Sequence, residues 1–305
     1  MIVFSQKGMI ASLVFSLLLT YTNVWADVAG GAIEVKFVAG KLNLSSILQL
    51  QKEMTLSENP KLLSEQPNVT CFEASIDEYL LEKSTSNKRI YGCIFSDQVA
   101  MNAALLRAGL FVHTDLGIMS DAQLFNSKMM TAVGGHDFLG EELLRFHEIA
   151  SIPAESAQEH KKIKAIEKQF KKEILDKIIQ DNNDNFILFS VINTKKFREN
   201  ITHELLHAQY YNVPQIAPIL LQVWQTEVTP QDQKIIMNAL QNGGYDMKQQ
   251  ELLLREFYSY FLQYNAADYL KNIKVLEDIS PLVDVYASHI KQALAKKNIK
   301  VITLQ

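Results

Sequence analysis

The stretch "ENITHELLHAQYYN", residues 199–212, sets two histidines around a glutamate at the spacing His203-Glu204-x-x-His207. It follows a continuous apolar run, "FILFSVIN" (186–193), of strand length and suited to full burial. Thr194 stands where it can cap the next helix, over about 195–211. On a helical wheel Phe197, Ile201, Leu205 and Ala208 form a stripe for the core, with Arg198, Thr202 and Gln209 on a polar side. His203 and His207 are four residues apart and stack on one face, so both imidazoles can reach a single ion at ~2.0–2.1 Å. Glu204 points aside from that pair. There it suits a proton acceptor better than a ligand. A second His-Glu pair, His147-Glu148, has Ser151 where the second histidine would stand.

A catalytic zinc takes three protein ligands and keeps one position open, so one more ligand is needed. A metzincin requires a glycine three and a histidine six residues beyond the second histidine, and Tyr210 and Val213 occupy those places. Asp246 in "GGYD" lacks the rest of an aspartate-ligand motif and instead forms a capping box with Gln249 ahead of the helix over 247–264. Glu227 sits in "TEVTPQD", where Thr229 and Pro230 mark a helix boundary, and a loop glutamate there remains an alternative. Glu251 has Arg255 four residues on and reads as half of an exposed ion pair. Glu256 has Leu252, Leu253, Ser259 and Tyr260 as helical neighbours, and a carboxylate in apolar company needs a cation. The expected site is therefore His203, His207 and Glu256 on one Zn2+, with Glu204 as the catalytic base.

These residues, over roughly 186–265, resemble the gluzincin metallopeptidases, whose signature is H-E-x-x-H on one helix and a glutamate ligand on a later one. The resemblance implies a zincin-like α+β fold: a mixed α/β upper part, a mainly helical C-terminal part and an active-site helix between them. It also implies peptide-bond hydrolysis. Thermolysin-like members carry an aspartate four residues after the glutamate ligand to orient a zinc histidine, and Tyr260 stands there instead. Either its hydroxyl or another residue must supply that hydrogen bond. Tyr260, Tyr286 and His289 are candidate oxyanion donors.

The rest of the chain sets the context. Residues 1–26 read as a cleaved export signal: Lys7, the apolar run "MIASLVFSLLLTY" (9–21) and a small-residue site at Val24-Trp25-Ala26. Without them the chain carries 29 basic and 34 acidic residues, a balance that does not favour nucleic acid. No later apolar stretch is long enough to span a bilayer. The two cysteines, Cys71 and Cys93, read as a disulfide in an oxidising compartment. Two parts are expected: an N-terminal α/β region (27–185) and a zinc-binding, mainly helical region (186–305). Strands are predicted at 32–39, 89–95 and 109–114. Helices are predicted at 44–54, from Ser96-Asp97 to about Arg107, and at 120–135, 138–150, 154–181 and 280–295, with 57–68 as loop. The expected function is an exported zinc peptidase acting on a peptide or protein; the alternative is an exported binding or scaffold protein with a non-catalytic zinc site.

Overall fold

The computed structural model describes residues 32–57, 68–79, 88–114, 118–119, 124, 130, 133–149 and 158–304. The proposed export signal, the 57–68 loop beyond Ser57 and most of the 120–135 helix lie outside the described residues. Strands β1 (Glu34–Leu42), β2 (Asn68–Ala74), β3 (Arg89–Phe95), β4 (Gly135–Leu139) and β5 (Phe186–Ile192) form one mixed sheet in the order β1-β2-β3-β5-β4. β1/β2 and β3/β5 are parallel; β2/β3 and β4/β5 are antiparallel. β5 is paired on both sides, so the described parts of 27–185 and 186–305 share this sheet.

The run "FILFSVI" is buried throughout and apolar but for Ser190, because both faces of β5 are covered. On one face Ile187, Phe189 and Val191 join Phe72, Ile90 and Ile94 against helices α1 (Leu44–Ser57) and α6 (Phe197–Asn212). On the other, Phe186 and Leu188 join Val69, Cys71, Cys93 and Phe138 against α2 (Gln98–His113) and α4 (Gln158–Phe170). A π-turn at Lys171–Leu175 leads from α4 to α5 (Asp176–Asn182). The sulfurs of Cys71 and Cys93, cross-strand neighbours on β2 and β3, are at disulfide distance, 2.10 Å. Below α6 lie α7 (Ile216–Thr226), α8 (Pro230–Asn242), α9 (Gln250–Leu262), α10 (Ala266–Lys271) and α11 (Val283–Ala295). The architecture is mixed α and β, as expected. Among the described residues no helix is long and apolar enough to cross a membrane.

Three expectations are corrected. The strand predicted at 109–114 is the end of α2, which runs on to His113. Gly109 does not stop that helix; it makes room for a neighbour, since a Cβ there would lie 3.0 Å from His136 Nδ1. β4 precedes α3 (Gly140–Ile149), where a helix from 138 was expected. Of the polar side assigned to α6, Arg198 is exposed as expected, but two residues are buried: Thr202 Oγ1 accepts from Tyr264 N, while Gln209 accepts from the Tyr258 hydroxyl and donates to the carbonyls of Tyr79 and Lys300. Helix α9 and the C-terminal tail wrap the side of α6 that a lone amphipathic helix would leave wet.

Candidate metal centre

Helix α6 contributes His203, Glu204 and His207, and α9, packed against it, contributes Glu256. The structure brings all four together. His203 Nε2 and His207 Nε2 are 3.0 Å apart, and each faces one oxygen of Glu256, at 3.5 Å and 3.6 Å. Ligands ~2.0–2.1 Å from a tetrahedral ion lie roughly 3.3 Å from one another, so these three groups define one ion position. Glu204 stands outside that triangle. Its Oε1 rests on the Cα of Gly135, where a Cβ would come within 2.2 Å of it.

The second layer of contacts engages the far nitrogen of each ring. His203 Nδ1–H donates to Gln263 Oε1 at 2.8 Å, and His207 Nδ1 shares a 2.9 Å hydrogen bond with the Ser259 hydroxyl. With the proton of each ring on Nδ1, both Nε2 atoms offer lone pairs to the same point, the arrangement a cation stabilises. The hydrogen bond missing at Tyr260 thus comes from Ser259 and Gln263. Tyr260 instead lays its ring 4.4 Å from that of His203 and shares a 2.9 Å hydrogen bond with the Tyr245 hydroxyl. Residues 256, 259, 260 and 263 recur at helical spacing, which is the signal in the sequence that could have found them.

Burial sets the electrostatics. His207 is 1 %, Glu256 2 %, Glu204 5 % and His203 9 % exposed. Burial pushes the His207 imidazole down to about 3, so it stays in the neutral, ligating form. Burial, then Asp137 and Glu256, push the Glu204 carboxyl well above its ordinary range. Asp137, from β4, is a neighbour that the sequence reading missed; against the upward push of burial, Arg255, His207 and His113 hold its carboxyl below the ordinary range. Three buried carboxylates, Asp137, Glu204 and Glu256, face one buried guanidinium, Arg255. With all three carboxylates ionised, one divalent ion would bring the set to neutrality. Neither Glu204 Oε2 nor Glu256 Oε2 has a hydrogen-bond partner, which fits an ion as well.

The remaining candidates fall elsewhere. Glu227 is exposed and pairs with His289 at 3.5 Å, and the Tyr286 hydroxyl donates to Asp232. Asp246 bonds Gln249 in the turn before α9, which begins at Gln250 rather than near 247. Arg255 does not form the exposed pair expected with Glu251; it is 5 % exposed and turns inward to Asp137, Glu256 and His113. Two surface cavities, of about 210 and 260 Å³, open around Glu73 and Arg89, and no residue of the centre lines either. In comparisons with known proteins, no family model, no curated protein and no solved structure matches this chain.

Proposed function

We propose that the chain is an exported zinc metallopeptidase of gluzincin type. The observation that carries this reading is the ligand triangle of His203, His207 and Glu256, with Glu204 held beside it but outside it. The placement of the ligands supports it: two come from the helix beneath the sheet and the third from a later helix packed on it. A zinc ion held there supplies Lewis acidity, polarising a peptide carbonyl and making water a competent nucleophile near neutral pH. His203 and His207 are fixed for that task by Gln263 and Ser259. Glu204 takes the proton of the attacking water on its carboxylate and passes it to the departing amine. Its burial raises the basicity of that carboxylate, which suits the first half of the transfer.

One observation favours the alternative of an exported scaffold with a structural zinc: the four site residues are almost closed to solvent. Peptide hydrolysis requires an opened form. The Glu204→Gln variant separates the readings. As a peptidase, wild type carries one zinc and cleaves members of a peptide library, and E204Q keeps the zinc while cleavage ceases. Wild type that holds zinc and cuts nothing establishes the scaffold, and protein that takes up no zinc defeats both.

A further inference from the structure

A buried charge pair flanks the ion position on the sheet side, and the H-E-x-x-H pattern does not name it. Asp137 faces α6 because Gly135 and Asp137 pair with Val191 and Phe189, which point to that helix. Its Oδ1 is 3.9 Å from His207 Nε2 and 3.7 Å from His113 Nε2. Its Oδ2 accepts from the Tyr211 hydroxyl at 3.2 Å and lies 3.8 Å from Arg255 Nη1. Arg255 in turn sets Nε 4.0 Å from Glu256 Oε1, donates through Nη2 to His113 Nδ1 at 2.9 Å, and lies 5.2 Å over the Tyr211 ring. Asp137, Glu204 and His207 each offer a ligand atom within 4.8 Å of the others.

Two simpler roles for Asp137 fail. A second ion bound by Asp137, Glu204 and His207 would need a lone pair that His207 does not have, since Nδ1 is committed to Ser259 and Nε2 faces the first position. As a fourth ligand Asp137 stands too far out: its oxygen is 3.9 Å from His207 Nε2, beyond the roughly 3.3 Å edge of a tetrahedral shell. A charge just outside that shell still acts on the ion through Coulomb's law, strongly so where water is excluded.

We propose that Asp137 and Arg255 are opposed outer-shell regulators of metal affinity, the carboxylate tightening the hold on a divalent ion and the guanidinium loosening it. This inference rests on the metal-centre reading and not on peptidase activity. His113 and Tyr211 act as positioning residues: they hold the pair apart from the ligands, so that neither charge enters the coordination shell.

The test is metal affinity of the full chain, stripped of metal and titrated with Zn2+ or Co2+ against a chromophoric chelator. D137N should bind the ion about 10- to 100-fold more weakly, the range typical of lost outer-shell partners. R255M, which keeps bulk and drops charge, should bind several-fold more tightly, R255K should stay near wild type, and D137N/R255M should return toward wild type. A merely structural pair gives another pattern: D137N and R255M both weaken, R255K weakens with them, and the double variant is no better than either single. That pattern, or unchanged affinity in both single variants, overturns the proposal. If R255M does not fold, R255K and the double variant still decide. Wild type that binds neither ion overturns the metal-centre reading together with this inference, whereas tight binding without peptide cleavage removes only the peptidase.

Discussion

At Gly135 the absence of a side chain is what lets Glu204 occupy its place. An added Cβ would sit 2.2 Å from Glu204 Oε1 and 3.0 Å from the Ser190 carbonyl oxygen, so the backbone blocks retreat on one side and the carboxylate must move. Gly135→Ala should therefore lower kcat/KM about 100-fold, the scale of a misplaced catalytic group, with metal content unchanged because no ligand is touched. Parallel peptide-cleavage and metal assays check this, and full activity in the variant would show that Glu204 does not work from this position. The residues differ in how much the sequence says about them. His203, Glu204 and His207 announce themselves by spacing, and Glu256 by standing among leucines with no partner. Asp137 gives no such sign. Its position just outside the ligands depends on β4 lying beside β5, a contact between residues about fifty apart, and periodicity carries no information at that range. Arg255 was misread for a related reason: Glu251 offered a local partner, and only the packing of α9 against α6 turns the guanidinium inward.

Elements with strong local signals were legible. α8 starts where Thr229 and Pro230 predict it: Thr229 Oγ1 accepts from Asp232 N at 3.2 Å, and Pro230 fills the first turn, whose free N–H it does not need. Thr229→Ala should cost about 1 kcal/mol of stability, read as a lower urea midpoint with an unchanged slope. A loss below ~0.3 kcal/mol would show that Pro230 and helix packing suffice. β3 was expected at 89–95 and is found there, since β-branched and aromatic residues alternate around Gly92. Gly92 itself is the contact point of Phe72 and Phe189, whose rings leave no room for a Cβ. β4 escaped notice because five residues, "GHDFL", make too short a run to show a period against its two flanking glycine signals. The α2 boundary failed because glycine was read by its usual role as a helix stop, whereas Gly109 serves the approach of His136. Around α4 and α5 the π-turn adds a residue to one turn, and Ile174 and Leu175 within it both face the core.

Across the molecule the buried ionisable groups set how stability responds to acid. His136, held between Asn102 and the α2 backbone, is pushed down to about 3 by burial, and His147 to about 4. His113 is lowered as well, by burial first and then by Arg255. A histidine whose pKa is lower in the folded state than its ordinary 6.5 contributes stability that is complete above 6.5. That contribution is lost as pH falls from there through the folded value, because the unfolded chain takes the proton first. Glu142 works the other way: burial lifts it to about 7, so it favours the folded state less as pH rises from about 4.5 to 7. Between pH 6.5 and 4.5 the three histidines outnumber Glu142, and Glu204 of the metal-free protein only joins the smaller side. The urea midpoint of metal-free protein should therefore fall as pH drops across that window. H136Q keeps a donor for Asn102 without a titrating ring. Its stability should vary less steeply, by up to ~1.4 kcal/mol per pH unit for the one proton removed, even if it is less stable at pH 8. A midpoint that holds steady or rises from pH 6.5 to 4.5 would mean that these histidines are solvated in the folded protein, and the packing of β4 against α2 would have to be redrawn.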